Sequence, residues 1–378
     1  MSNKMAPCPY FGSCGGCDNQ HIPYEVQLEN KKKTVSRAVG CKEEEIKVFS
    51  DKEYGYRNRM DFMFHRTGLG LRKKGDWKHL IDVESCAISD DKLNTLLGEI
   101  RAYFKNADAF DPIRKNGTLK YAVIRTPKNN SSIAFVINED SPRTREIIEQ
   151  IKSFAKQTTA QNVVITYVPK ESDMSISNEF FAVKGTDMLT EDYCGKTFEY
   201  SVQGFFQNNS AMAEAMQIYV HTLLEKYDTK KEFLLDLYGG VGTFGIINAE
   251  LFAKVLTIEN DQNCIDAALR NIKQNNTSNA DAKVMDAMSI RKLNLPQGLY
   301  VITDPPRSGM HQKTIDELKR LRPKVIIYIS CNVEQLGKEL KRFPEYDIKS
   351  VAMCDLFPQT PHIEGIVELV RKTEEIIV

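Results

Sequence analysis

The stretch Asp236-Leu237-Tyr238-Gly239-Gly240-Val241-Gly242-Thr243-Phe244-Gly245 decides the fold. It ends a short apolar run, Phe233–Leu237, and opens a segment long enough for a helix. Glycines placed there let the backbone turn tightly and come close to a ligand. The rhythm repeats downstream, where Val255–Ile258, Tyr300–Thr303 and Val325–Ile329 are apolar runs spaced by helix-length segments. Such runs suit buried strands, and their alternation with helices implies a parallel sheet covered on both faces. Just upstream, Ser210–Lys226 has helical spacing with Ser210 as its expected cap. Farther back, Tyr121–Arg125, Ile133–Ile137 and Val163–Val168 read as strands and Arg143–Lys156 as a helix. Texture divides the chain into a cysteine-bearing, basic region (1–90), a mixed α+β region (91–200) and the alternating α/β region (201–378).

What ends each strand carries the chemistry. Asp236 lies near the end of the first run, Glu259 ends the second, Asp286 follows Ala282–Met285, Asp304 follows Thr303, and Cys331 follows Ser330. In an open parallel sheet these ends share one edge, where ligands bind. Glu259, 20 residues after Gly239, is placed to accept hydrogen bonds from ribose hydroxyls. The glycine pattern alone serves dinucleotides and nucleosides alike. The loop holds no basic residue, and hydride transfer has no use for Asp304-Pro305-Pro306 or Ser330-Cys331-Asn332, so adenosylmethionine is favoured over NAD. Two prolines cannot continue a central strand, so the chain leaves the sheet there and fixes Asp304. Cys331, just past a strand end on the ligand edge, is a candidate nucleophile rather than a core thiol. Near the C-terminus, Asp355–Glu364 contains two prolines and precedes the apolar run Ile366–Val370. That stiff loop makes Glu364 a candidate general base, while His362 reads as a turn residue.

Composition sets the outer limits. The 378 residues hold 51 Lys+Arg against 51 Asp+Glu, a balance that argues against non-specific coating of nucleic acid but permits a local basic groove. No apolar run reaches the length of a membrane span, and Met1–Cys17 lacks the pattern of a signal peptide. Nine cysteines is an odd count, so a disulfide framework is not expected and the reducing cytoplasm is the expected compartment. Cys8, Cys14 and Cys17, followed at a distance by Cys86, suit an iron–sulfur cluster or zinc, and spacing alone does not separate the two. Cys41, Cys194, Cys264 and Cys354 show no partner pattern and read as ordinary thiols.

Taken together, Phe206-Gln207-Asn208, Asp236–Gly242, Asp304-Pro305-Pro306-Arg307, Ser330-Cys331-Asn332 and Phe357-Pro358 with His362-Ile363-Glu364 resemble the RNA uracil-5-methyltransferases. These enzymes make 5-methyluridine in tRNA and ribosomal RNA. The resemblance runs from Cys8 onward. It implies an α/β fold: a C-terminal Rossmann-like adenosylmethionine-dependent methyltransferase domain, a central α+β RNA-binding domain and an N-terminal iron–sulfur head. It implies Cys331 as nucleophile and Glu364 as proton acceptor, with S-adenosyl-L-methionine held by Gln207, Tyr238, Gly240, Glu259, Asp286 and Asp304. It implies a [4Fe–4S] cluster on Cys8, Cys14, Cys17 and Cys86. The partner it implies is a tRNA or 23S rRNA loop containing the target uridine; no membrane and no obligate protein partner are expected. Cytosine-5 enzymes usually add a cysteine at the Pro-Pro motif; none stands here, which favours uracil. Amino-directed methylation is a weaker alternative, because Arg307 replaces that motif's aromatic residue. A non-catalytic iron–sulfur RNA-binding protein is opposed by the intact pair Cys331 and Glu364. Only seven residues precede Cys8, so the small β-barrel RNA-binding domain found in some family members is not expected. RNA contacts are then expected from Lys31–Arg37, Arg57–Arg59 and Arg72–Lys74, with Phe205 available to stack on a ring.

Overall fold

In the computed structural model, which describes residues 5–372, two large sheets and one hairpin carry the chain. Helix α1 (Tyr24–Val39) turns off at Gly40 and leads to β1 (Ile46–Phe49). Strands β2 (Arg59–His65), β3 (Gly68–Lys73) and β4 (Asp76–Asp82) form an antiparallel meander. Asp90 then caps α2 (Asp91–Tyr103) by accepting the Leu93 N–H. β5 (Leu119–Arg125), β6 (Ser132–Asn138), α3 (Thr144–Ala155), β7 (Asn162–Val168) and β8 (Phe180–Lys184) complete a seven-stranded sheet ordered β4-β3-β2-β5-β6-β7-β8. β5 and β6 are buried along their whole length. Phe64, Phe104, Phe135 and Phe154 pack ring against ring in this core. The sheet crosses the division expected near residue 90, because β2 pairs with β5 from Arg59↔Arg125 to Met63↔Tyr121.

After the hairpin β9 (Met188–Tyr193) and β10 (Lys196–Ser201), helix α4 (Ser210–Leu224) opens the alternating half. Its cap is Asn209, whose Oδ1 accepts the Met212 N–H at 3.3 Å, one residue earlier than expected. Then follow β11 (Phe233–Leu237), α5 (Thr243–Asn248), β12 (Lys254–Glu259), α6 (Gln262–Gln274), β13 (Ala280–Val284), β14 (Tyr300–Thr303), α7 (Gln312–Leu321), β15 (Val325–Ser330), α8 (Val333–Leu340), β16 (Tyr346–Cys354) and β17 (Glu364–Arg371). The sheet order is β1-β16-β17-β15-β14-β11-β12-β13. Strands β11 to β15 run parallel, and β17 lies antiparallel between β15 and β16. The order reverses at β11, which opens a crevice beyond the strand ends. β1, from the first 90 residues, adds to this second sheet beside β16, pairing Ile46↔Val351 to Phe49↔Cys354.

Candidate active site

Topology sets the candidate residues in a row. Because β17 is antiparallel, its first residue lies at the edge where the parallel strands end. Reading across that edge gives Glu364, Cys331, Asp304, Tyr238, Glu259 and Asp286. Ser330 is paired with Gly365, and continuing that register by one sets Cys331 opposite Glu364. Directly opposed residues carry their Cβ atoms about 5 Å apart. On its other side Glu364 is paired with Cys354 of β16.

Burial dominates the electrostatics of this corner. Glu364 is 4% exposed. Burial, and then the Asp304 carboxylate, push its pKa well above the ordinary value. Asp304 keeps a window to solvent, yet the protein around it also pushes its pKa up. The Cys331 thiol is pushed up to about 11, first by burial and then by Glu364 and Asp304, with Arg307 pulling the other way. Cys331 is therefore mostly a thiol at rest near neutral pH.

The glycine loop is built from beneath. Asp236 is buried, and its Oδ2 accepts the Gly245 N–H at 3.0 Å and the Thr257 hydroxyl at 3.3 Å. It supports the loop from below. A Cβ on Gly239 would stand 2.5 Å from Thr257 Cγ2 and 2.6 Å from Asp236 Oδ2, so only glycine fits. Tyr238 and Gly240 take positive φ angles of 58° and 53°. The Glu259 carboxylate accepts N–H bonds from Gly240 at 3.2 Å and Asn260 at 2.7 Å, which fixes it beside the loop. Asp286 is exposed and caps the turn after β13 through the Met288 N–H at 2.8 Å. Gln207 is half-buried and makes no hydrogen bond among the described residues, so its amide is free to meet a ligand.

The loop that delivers Glu364 is clamped by the N-terminal helix. Lys31 Nζ reaches Asp355 Oδ1 at 2.6 Å and the Phe357 carbonyl at 3.1 Å, and the Tyr24 hydroxyl donates to Asp355 Oδ2 at 2.8 Å. Gln359 has a φ of 67° and is fully buried. Its carbonyl accepts the Asp18 and Asn19 N–H groups, and its side chain meets Gln27 and Glu53. Tyr56 donates to the Pro358 carbonyl at 2.9 Å. Lys31 was expected on an RNA-facing basic stretch. The structure instead buries it to 4% exposure, because Asp355 needs a counter-charge. The spacing of Gln27, Lys31 and Val35, four apart on one helix face, is the sequence signal for that inward role.

Cys8, Cys14, Cys17 and Cys86 line one cavity of about 670 Å3 together with Gln20. Burial raises the pKa of the Cys14 thiol and pushes that of Cys17 up to about 12, and Cys86 and Cys8 raise both further. The four thiols are thus close enough to sense one another. Among the described residues, however, no three His, Cys, Asp or Glu side chains are gathered tightly enough to hold a single ion. No helix among them is long and apolar enough to cross a membrane.

Known proteins resemble this chain along nearly its whole length. The family model described as tRNA (uracil-5-)-methyltransferase matches residues 23–372. An RNA methyltransferase of Caldanaerobacter subterraneus is 33% identical over 97% of this chain and 85% of its own length. The tRNA (uracil(54)-C(5))-methyltransferase of Pyrococcus horikoshii is 31% identical over 97% of this chain and 86% of its own. The crystal structure of the Pyrococcus abyssi tRNA (uracil-54, C5)-methyltransferase with S-adenosyl-L-homocysteine superposes with a TM-score of 0.79 at 28% identity, covering 95% of this chain and 86% of that one. The mixed α/β fold is therefore that of an S-adenosylmethionine-dependent methyltransferase. With the match running through nearly every described element, the chain belongs to the tRNA (uracil-5-)-methyltransferase family and is an enzyme of that class.

Proposed function

We propose that the protein transfers the methyl group of S-adenosyl-L-methionine to C5 of one uridine in a tRNA loop, through a covalent bond between Cys331 and C6 of the uracil. The observation that carries this reading is the placement of Cys331 opposite Glu364 on the strand-end edge, next to Asp304. C5 of uracil is a poor nucleophile. The Cys331 thiol loses its proton to solvent, and the thiolate attacks C6 and pushes electrons through the C5–C6 bond onto O4, giving an enolate. C5 then attacks the sulfonium methyl, and S-adenosyl-L-homocysteine leaves. Glu364 takes the C5 proton, the C5–C6 double bond re-forms and the cysteine thiolate departs. Each step is easier than direct substitution. Burial raises the proton affinity of Glu364, which makes it a stronger base once ionised. The methyl donor is held by Gln207, Tyr238, Gly240, Glu259, Asp286 and Asp304 along the crevice. The target base leaves its stack to reach this edge.

Cys8, Cys14, Cys17 and Cys86 would hold a [4Fe–4S] cluster. All four line one cavity, and thiolates are the ligands that hold such clusters. Such a cluster would supply a staple for the loop-rich head, since methyl transfer moves no electron. The names of relatives near 30% identity favour tRNA over 23S rRNA as the substrate, and a cytoplasmic location follows from that reading. The test is incubation with labelled S-adenosyl-L-methionine and either an unmodified tRNA transcript or a 23S rRNA fragment, followed by nucleoside analysis. 5-Methyluridine in the tRNA supports the proposal, and in the rRNA it moves the target. Labelled N-methyl nucleosides, or no label in either, overturn it.

A further inference from the structure

The cavity beside the cysteines has a second wall that the methyl-transfer chemistry does not use. Arg57, Arg59, Arg72, Lys73 and Lys74 line it, against Asp61 as the one carboxylate among its described lining residues. Asp61 is already held by Arg59 at 2.9 and 3.0 Å. Arg72 meets Asp173 and Lys74 meets Asp18, each at 2.6 Å, in pairs that are solvent-exposed and readily exchanged for phosphate. Arg57 and Lys73 have no ion pair among the described residues. Five cations around one concave surface favour a polyanion.

An aromatic platform adjoins that wall. Trp77, the chain's single tryptophan, is 62% exposed on β4, at the edge of the seven-stranded sheet. The Arg72 guanidinium and Lys78 ammonium lie 5.8 and 5.7 Å from its ring. Arg72 also donates to the Trp77 carbonyl at 2.8 Å, so the residue that lines the cavity also steadies the indole. Along the same cavity stands Phe205, 68% exposed and two residues from Gln207. The cavity thus links the Trp77 hairpin to the active-site edge. An indole flanked by cations beside a basic groove is the combination that binds single-stranded nucleic acid, by stacking on bases and pairing with phosphates.

We propose that the β3–β4 hairpin and its basic wall are the docking track for single-stranded RNA flanking the target uridine, with Trp77 stacked on a base. This rests on the reading of the chain as an RNA methyltransferase. Because Trp77 is the lone tryptophan, its emission reports on that spot alone. The experiment titrates the full-length protein with an unmodified tRNA transcript and with a 12-nucleotide oligouridine, following tryptophan emission and filter retention, with methylation of the transcript measured in parallel. Emission should be quenched on binding. Trp77→Ala should weaken RNA binding roughly tenfold or more, whereas Trp77→Phe should restore most of it. Lys73→Gln should lower the slope of log affinity against log salt by about one. Binding of S-adenosyl-L-homocysteine is the control for folding. Methylation with unchanged emission, or wild-type affinity in Trp77→Ala, overturns the track and leaves the methyltransferase reading standing. Quenching without methylation supports the track and removes that reading. Neither RNA binding nor methylation overturns both.

Discussion

Replacing Glu364 by Gln should move two measurements in opposite directions. The ordinary thiol value is 9.0, and Cys331 is pushed up to about 11. At pH 8 an unperturbed thiol would hold about a hundredfold more thiolate than one at about 11, since each pH unit is a factor of ten. Burial, the first cause, survives the substitution, while the Glu364 charge, the second, does not; because the Glu364 pKa is itself raised, that charge acts in the upper part of the pH range, where the carboxyl is ionised. The sign follows directly: a negative neighbour disfavours the thiolate, so its loss lowers the thiol pKa. Because burial and Asp304 remain, the gain in thiolate stays below the hundredfold that full relief would give. A more acidic thiolate is a weaker nucleophile, with a Brønsted slope of about 0.4–0.5, which returns nearly tenfold of that gain. Alkylation of Cys331 by iodoacetamide should therefore speed up by about twofold to tenfold at pH 8. Turnover should meanwhile fall at least about a hundredfold, because the proton acceptor is gone. The assay is peptide-resolved mass spectrometry of Cys331 alkylation between pH 7 and 10 on the free enzyme, beside methyl transfer to a tRNA transcript. Unchanged or slower alkylation in Glu364→Gln would refute the electrostatic link between the two side chains.

Three further outcomes follow from the same structure. Anaerobically purified protein should contain iron and sulfide, and Cys8, Cys14, Cys17 or Cys86→Ser should lose them; one zinc per chain without sulfide would contradict the cluster. Lys31→Ala strands the buried Asp355 carboxylate and should cost about 3–5 kcal/mol of stability in chemical denaturation, while the double variant Lys31→Met/Asp355→Leu should recover most of it. Gly239→Ala should abolish binding of S-adenosyl-L-homocysteine in calorimetry, because its Cβ would overlap Thr257 and Asp236; retained affinity would show that the loop is not the cofactor site.

The catalytic half was legible because buried parallel strands announce themselves. Phe233–Leu237 and Tyr300–Thr303 are apolar runs with polar residues at their ends, and both appear with those same bounds. The strand-end row could therefore be read from the chain alone. Asp236 escaped that logic, since nothing in sequence separates a carboxylate that faces a crevice from one that props a loop from below. β1 joining β16 was equally hidden: a four-residue strand finds its partner about 300 residues away, and no local pattern encodes such a pairing. The same distance concealed the clamp of Lys31, Gln27 and Tyr56 on residues 355–359. Composition changes near residue 90, while the β2–β5 pairing runs across that point and has no signature in composition.

The most direct measurement is the covalent trap. Tandem mass spectrometry of the protein after incubation with S-adenosyl-L-methionine and a tRNA transcript carrying 5-fluorouridine reads the bond itself, since fluorine at C5 cannot leave as a proton does. The account predicts a methylated 5-fluorouridine joined through C6 to the Cys331 sulfur, and no such species in Cys331→Ala. An adduct on any other residue, or 5-methyluridine formed from ordinary transcript by Cys331→Ala, would contradict it.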